Sequence, residues 1–85
     1  MKLYRIYTEN KNLDGIKDIL NRNFKAYTIF FGVGVWEGIE EKNLTIEIIG
    51  ENFDIAVEVT AGTIKIFNNQ QAVLLAVSEI ESKLI

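Results

Sequence analysis

Trp36 stands between Gly34 and Gly38, and beyond it Lys42 is the lone base among Glu37, Glu40 and Glu41. An indole beside residues that lack side chains, at the end of a strand-like run, leaves an aromatic surface and bare backbone open to a ligand. Gly34, Trp36, Gly38 and Lys42 are therefore the candidate ligand-binding residues. The plainer reading has Trp36 packed in a core or a subunit interface, with the glycines permitting a bend. The three glutamates supply the oxygen donors that calcium or magnesium want, but their spacing is not that of a cation loop, so they read as a solvated acidic hairpin tip and no metal site is expected. Tyr4, Arg5 and Tyr7 form a second constellation, in which a cation over a ring could line an intersubunit cleft. Simple alternation of side chains across a sheet accounts for them as well. Gly32-Val33-Gly34 is no nucleotide fingerprint, because no helix begins after it to present its amino terminus to a phosphate.

What is missing narrows the chemistry further. The chain has no cysteine and no histidine, which removes thiol catalysis, disulfides and thiolate-bound zinc, and with them the commonest general base near neutral pH. Carboxylates and lysines remain, in no spacing that sets up catalysis, so the chain reads as a non-enzyme with no cofactor. A net charge of −3, with nine basic residues scattered along the chain, argues against nucleic acid, which needs a clustered basic stripe. The aromatics sit inside apolar runs, not between basic residues. No stretch approaches the roughly 18 uninterrupted apolar residues of a membrane helix, and Met1-Lys2-Leu3-Tyr4-Arg5 does not read as a signal peptide. A cytoplasmic protein without membrane contact is expected.

The elements that must position these residues are legible in outline. Lys2 to Thr8 is rich in aromatic and β-branched residues and reads as a first strand, closed by the polar cluster Glu9-Asn10-Lys11-Asn12. From Leu13 the period changes: Leu13, Ile16, Leu20 and Phe24, with Ile19 beside them, share a helical face, and Asn12 is placed to cap it. Tyr27 to Trp36 is a long strand with Tyr27, Ile29, Phe31, Val33 and Val35 on one face and Thr28, Phe30, Gly32, Gly34 and Trp36 on the other. Glu37 to Asn43 reads as the connecting loop, and Leu44 to Ile49 as the returning strand. Phe53 to Phe67 admits two readings. As a helix, capped by Asn52, it carries a stripe through Phe53, Ala56, Val57, Thr60, Ala61, Ile64 and Phe67; as a hairpin it alternates up to a turn at Ala61-Gly62. Local propensity favours the hairpin and the order of elements favours the helix. Asn68 to Gln71 is a polar break, Ala72 to Val77 is a continuous apolar run of the kind a strand buried on both faces shows, and Ser78 to Ile85 reads as a short edge strand.

The order strand, helix, strand, strand, helix, strand over residues 1–85 is that of a single α+β domain, the ferredoxin-like βαββαβ sandwich with two helices on one face of a four-stranded antiparallel sheet. One sheet face is left open. With 48% hydrophobic residues in an 85-residue chain, more apolar surface is present than one small core hides, and another copy is the economical cover. On this pattern, on the Gly-rich second strand, and on the stretches Ile46-Glu47-Ile48-Ile49 and Val77-Ser78-Glu79-Ile80-Glu81, the chain resembles the PII signal-transduction proteins and their CutA-like relatives. The resemblance implies a homo-oligomer, a trimer with inward-facing sheets, and a signalling role through ligand sites between subunits near the loop joining strands two and three. That loop is much shorter here than the regulatory loop of true PII proteins, and Lys42 alone among glutamates does not make a phosphate site. The expectation is a non-enzymatic PII-like homo-oligomer binding a small molecule or a protein partner. The alternative is a structural or interaction protein with no ligand site, such as an accessory protein of a phage or mobile element.

Overall fold

Alternation decides the first strand: β1 (Lys2–Glu9) sends Tyr4, Ile6 and Thr8 into the interior and leaves Arg5 in solvent. The computed structural model describes all of residues 1–85. Helix α1 (Leu13–Asn23) buries Ile16, Ile19 and Leu20, and Phe24 follows them into the core just past its end. Strands β2 (Thr28–Trp36) and β3 (Ile39–Gly50) form a long hairpin, helix α2 (Asp54–Phe67) crosses back, and β4 (Leu74–Glu79) closes the chain. Residues 53–67 thus take the helical of the two readings, burying Val57, Thr60, Ala61 and Ile64 at spacings of three, one and three.

The sheet is antiparallel throughout in the order β2-β3-β1-β4. Together with two helices on one face, this is the ferredoxin-like arrangement read from the order of elements. Tyr4, Ile6, Leu44, Ile46 and Ile48 form the covered face, and the helices close over them. Phe24 and Phe53 meet edge to face at 5.5 Å and 77° at one end of this layer, the geometry that opposes a ring's positive rim to its partner's negative face. The helices approach closely at Gly15, where the Phe67 ring occupies the space a β-carbon would need.

Several local expectations are corrected. The connection between β2 and β3 is not Glu37–Asn43 but the two-residue turn Glu37-Gly38, with φ of 50° and 79°, and Ile39 already pairs with Trp36. Positive φ at both central residues defines the type I′ hairpin turn, whose twist matches that of the flanking strands. Asn12 and Asn52 do not cap helices through their side chains: both are left-handed, at 58° and 61°, and Asn12 Nδ2 instead donates to Asn68 Oδ1 at 3.1 Å. The apolar run 72–77 belongs to an edge strand, since β4 lies outside β1, and Leu74 and Val77 are exposed in the single chain. Residues 80–85 form no strand.

Candidate functional site

The β2–β3 register builds a floor on the open sheet face. Trp36 sits opposite Ile39, Gly34 opposite Glu41 and Gly32 opposite Asn43, and Asn43 in turn lies opposite Glu9 of β1. The two glycines leave a strip of bare backbone. The Asn43 side chain lies across it, with Oδ1 2.9 Å from where a β-carbon of Gly32 would stand and Nδ2 2.9 Å from that of Gly34. A side chain at either glycine would displace this amide.

Above the floor is a groove of about 380 Å³, within the size range of small-molecule sites. Trp36 and Gly34 bound it on the hairpin side, Tyr7 and Glu9 along β1, and residues 70–74 on the far side. That far wall is built by the end of α2. Gln70 N–H donates to the carbonyl of Lys65 at 2.9 Å and Asn69 N–H to that of Ile66 at 3.1 Å, with Asn69 at a φ of 52°. This is a Schellman stop with asparagine in the left-handed position usually held by glycine. The stop turns the chain so that Gln70 Oε1 accepts from Thr8 Oγ1 and from Asn68 Nδ2, the latter at 3.0 Å. Thr8 and Asn68 are both buried, and this chain of amides and hydroxyls satisfies them there. The polar segment Asn68 to Gln71, which reads in sequence as a turn, is thus also the wall of the groove.

Of the four candidate residues, the structure brings Gly34 and Trp36 together in the groove and leaves Gly38 and Lys42 outside it. Gly38 is at the tip of the turn. Lys42 pairs with Val33, on the helix side of the sheet, because β3 already runs through it and alternation turns it away from Glu41 and Asn43. Glu40 and Glu41 fall on opposite faces for the same reason, and no group of three acidic side chains converges on a metal-sized site. Glu9, Asn43 and Gln70 are groove residues that sequence reasoning did not single out, while Tyr7, read in the β1 constellation, and Glu41, read as part of a solvated acidic tip, also line it. Recognising Glu37-Gly38 as a tight turn would have put Glu41 and Asn43 in register with the glycines.

The other constellation divides. Arg5 lies on the open face with its Nε 3.1 Å from Glu47 Oε2, two residues from Tyr7. Tyr4 is wholly buried on the opposite face, its hydroxyl donating to Asp54 Oδ1 at 2.9 Å. Lys2 Nζ donates to the same carboxylate at 3.1 Å. The hydrogen bonds from Lys2 and Tyr4 hold the Asp54 carboxyl below its ordinary range. Burial, reinforced by Asp54, raises the Tyr4 phenol. This cluster ties β1 to the first turn of α2.

The likeness of this chain to known proteins lies in its fold. A crystal structure of a DUF3240 family protein from Shewanella baltica OS155 superposes with a TM-score of 0.74, covering 99% of this chain and 93% of that one at 15% identity. Searches against family models and curated proteins returned no match. No helix is long and apolar enough to cross a membrane.

Proposed function

We propose that the chain is a non-enzymatic, PII-like cytoplasmic homo-oligomer, a trimer, that binds a small molecule or a protein partner between its subunits. The observation that carries this reading is the β2–β3 arm. Beyond the helices, Phe31, Val33 and Val35 stand 65–69% exposed on one face, while Phe30, Trp36 and Ile39 are 50–69% exposed on the other. An arm apolar on both faces is a surface that associates, and Gly34 and Trp36 on its open face bound the groove. The shared architecture with the DUF3240 protein supports the fold on which the reading rests.

A second reading, an interaction protein without a ligand, draws on the strand order. β2 is a nine-residue edge strand with an unpaired backbone edge, which a partner's strand could extend. Light scattering on the purified chain distinguishes the readings. The oligomer predicts a mass near three times 9.7 kDa at micromolar concentration. A stable 9.7 kDa monomer overturns it and leaves the strand-extension reading.

A further inference from the structure

We infer that the groove beside Trp36 takes an organic cation, an amine or quaternary ammonium carried on an apolar or aromatic body, and excludes phosphates and carboxylates. This rests on the reading of the groove as a ligand site and adds the chemical class of the ligand.

The charge of the lining is the first argument. Glu9 and Glu41 are its acidic residues, and neither lysine nor arginine lines it. The one base that the sequence places nearby, Lys42, lies on the opposite face of β3. Glu9 is offset from outside by Lys11, whose Nζ is 3.3 Å from Glu9 Oε2. Glu41 makes no ion pair. An anion entering this groove would meet the unpaired Glu41 carboxylate with no lysine or arginine in the lining to offset the hydration it loses.

The hydroxyl and amide nearest the floor on the far side, those of Thr8 and Gln70, are committed, which leaves Gln71 as the free amide of the far wall. Thr8 Oγ1 donates to Gln70 Oε1, and Gln70 Nε2 donates to the Ala72 carbonyl at 3.3 Å. What the wall offers inward is largely apolar, from Ala72, Val73 and Leu74.

Geometry then favours a cation with an organic body. Because Asn43 is the direct partner of Glu9, Glu41 is the diagonal one, which puts the two glutamates roughly 7–8 Å apart across the floor. A single ammonium group lies within reach of both. Trp36 is 50% exposed beside the bare backbone of Gly34 and diagonal to Glu41, and Tyr7, which pairs with Thr45 where Trp36 pairs with Ile39, lines the other end of the groove. Indole and phenol faces attract cations through the ring quadrupole, tryptophan most strongly. A bare metal ion has no use for the aromatic and apolar walls, and no cluster of three acidic groups is there to ligate one.

Trp36 is the only tryptophan, so its fluorescence reports occupancy directly. The full chain is titrated with benzyltrimethylammonium, the neutral 3-phenylpropanol and the anionic 3-phenylpropionate. The cation is expected to bind about tenfold or more tighter than either of the others, the size of one combined charge and cation–π contact. Glu41→Gln should remove most of that preference while leaving phenylpropanol affinity and the melting temperature unchanged, and Glu9→Gln should do so in part. Equal binding of all three probes, or tighter binding of the anion, overturns the cation assignment and leaves the groove as a ligand site. If none of the three perturbs Trp36, the ligand-site reading falls together with the inference.

Discussion

Asp54 shows how one side chain joins two elements. It lies in the first turn of α2, where a negative charge suits the helix dipole, and it accepts from Tyr4 and Lys2 of β1. Its native pKa is depressed, chiefly by the Lys2 hydrogen bond and then by that of Tyr4. The stabilisation from this group is therefore complete above the ordinary carboxylate value of 3.8 and declines as pH falls through the lower native value, where the folded chain must take up the proton. The Tyr4 and Lys2 groups are raised, so their contributions are complete below the ordinary values and are lost as pH rises through the native ones. Asp54→Asn should flatten the acid limb of a urea-midpoint profile between pH 5 and 2 and weaken the alkaline limb. An unchanged acid limb would show that the contact carries no linkage.

At the scale of elements, the β2–β3 turn tests how local chemistry sets register. Glu37 takes a φ of 50°, which costs a residue with a β-carbon more than it costs asparagine. Glu37→Asn gives the preferred Asn-Gly pair and should stabilise the fold by about 0.5–1 kcal/mol in urea unfolding. Gly38→Ala, at 79°, should destabilise it by about 1 kcal/mol. If the two changes have the same sign, the turn is not type I′ in solution.

Because Glu-Gly is not a strong turn signal, the polar stretch 37–43 looked like a loop, and that one misreading put Lys42 in the candidate site and left Glu41 and Asn43 out. The long strand, the glycine strip and Trp36 were legible, since alternation needs only the strand. For α2 the difficulty lay in its outward face. Ile55, Val59 and Ile66 are exposed, so β-branched residues surround the helix and mimic a strand pattern; the inward stripe at Val57, Ala61 and Ile64 decided the outcome through tertiary packing, which overrides propensity. The groove itself was hidden because its far wall comes from a Schellman stop in which Asn69 replaces the usual glycine.

For the whole molecule, the hairpin arm separates folding from association. Val35 is 69% exposed and is not part of the buried core, so replacing it leaves the monomer's interior intact. If copies associate through this arm, Val35→Glu buries a charge at the interface of every pair, which without a partner group is too costly to keep. Val35→Glu should therefore lower the scattering mass to 9.7 kDa while leaving far-ultraviolet circular dichroism unchanged. The native chain should also melt at higher temperature as its concentration rises, because association draws on the folded state alone, and the variant should lose that dependence. A native melting temperature that is independent of concentration, with a variant of unchanged mass, would mean that the arm's apolar faces are covered by something other than a second copy.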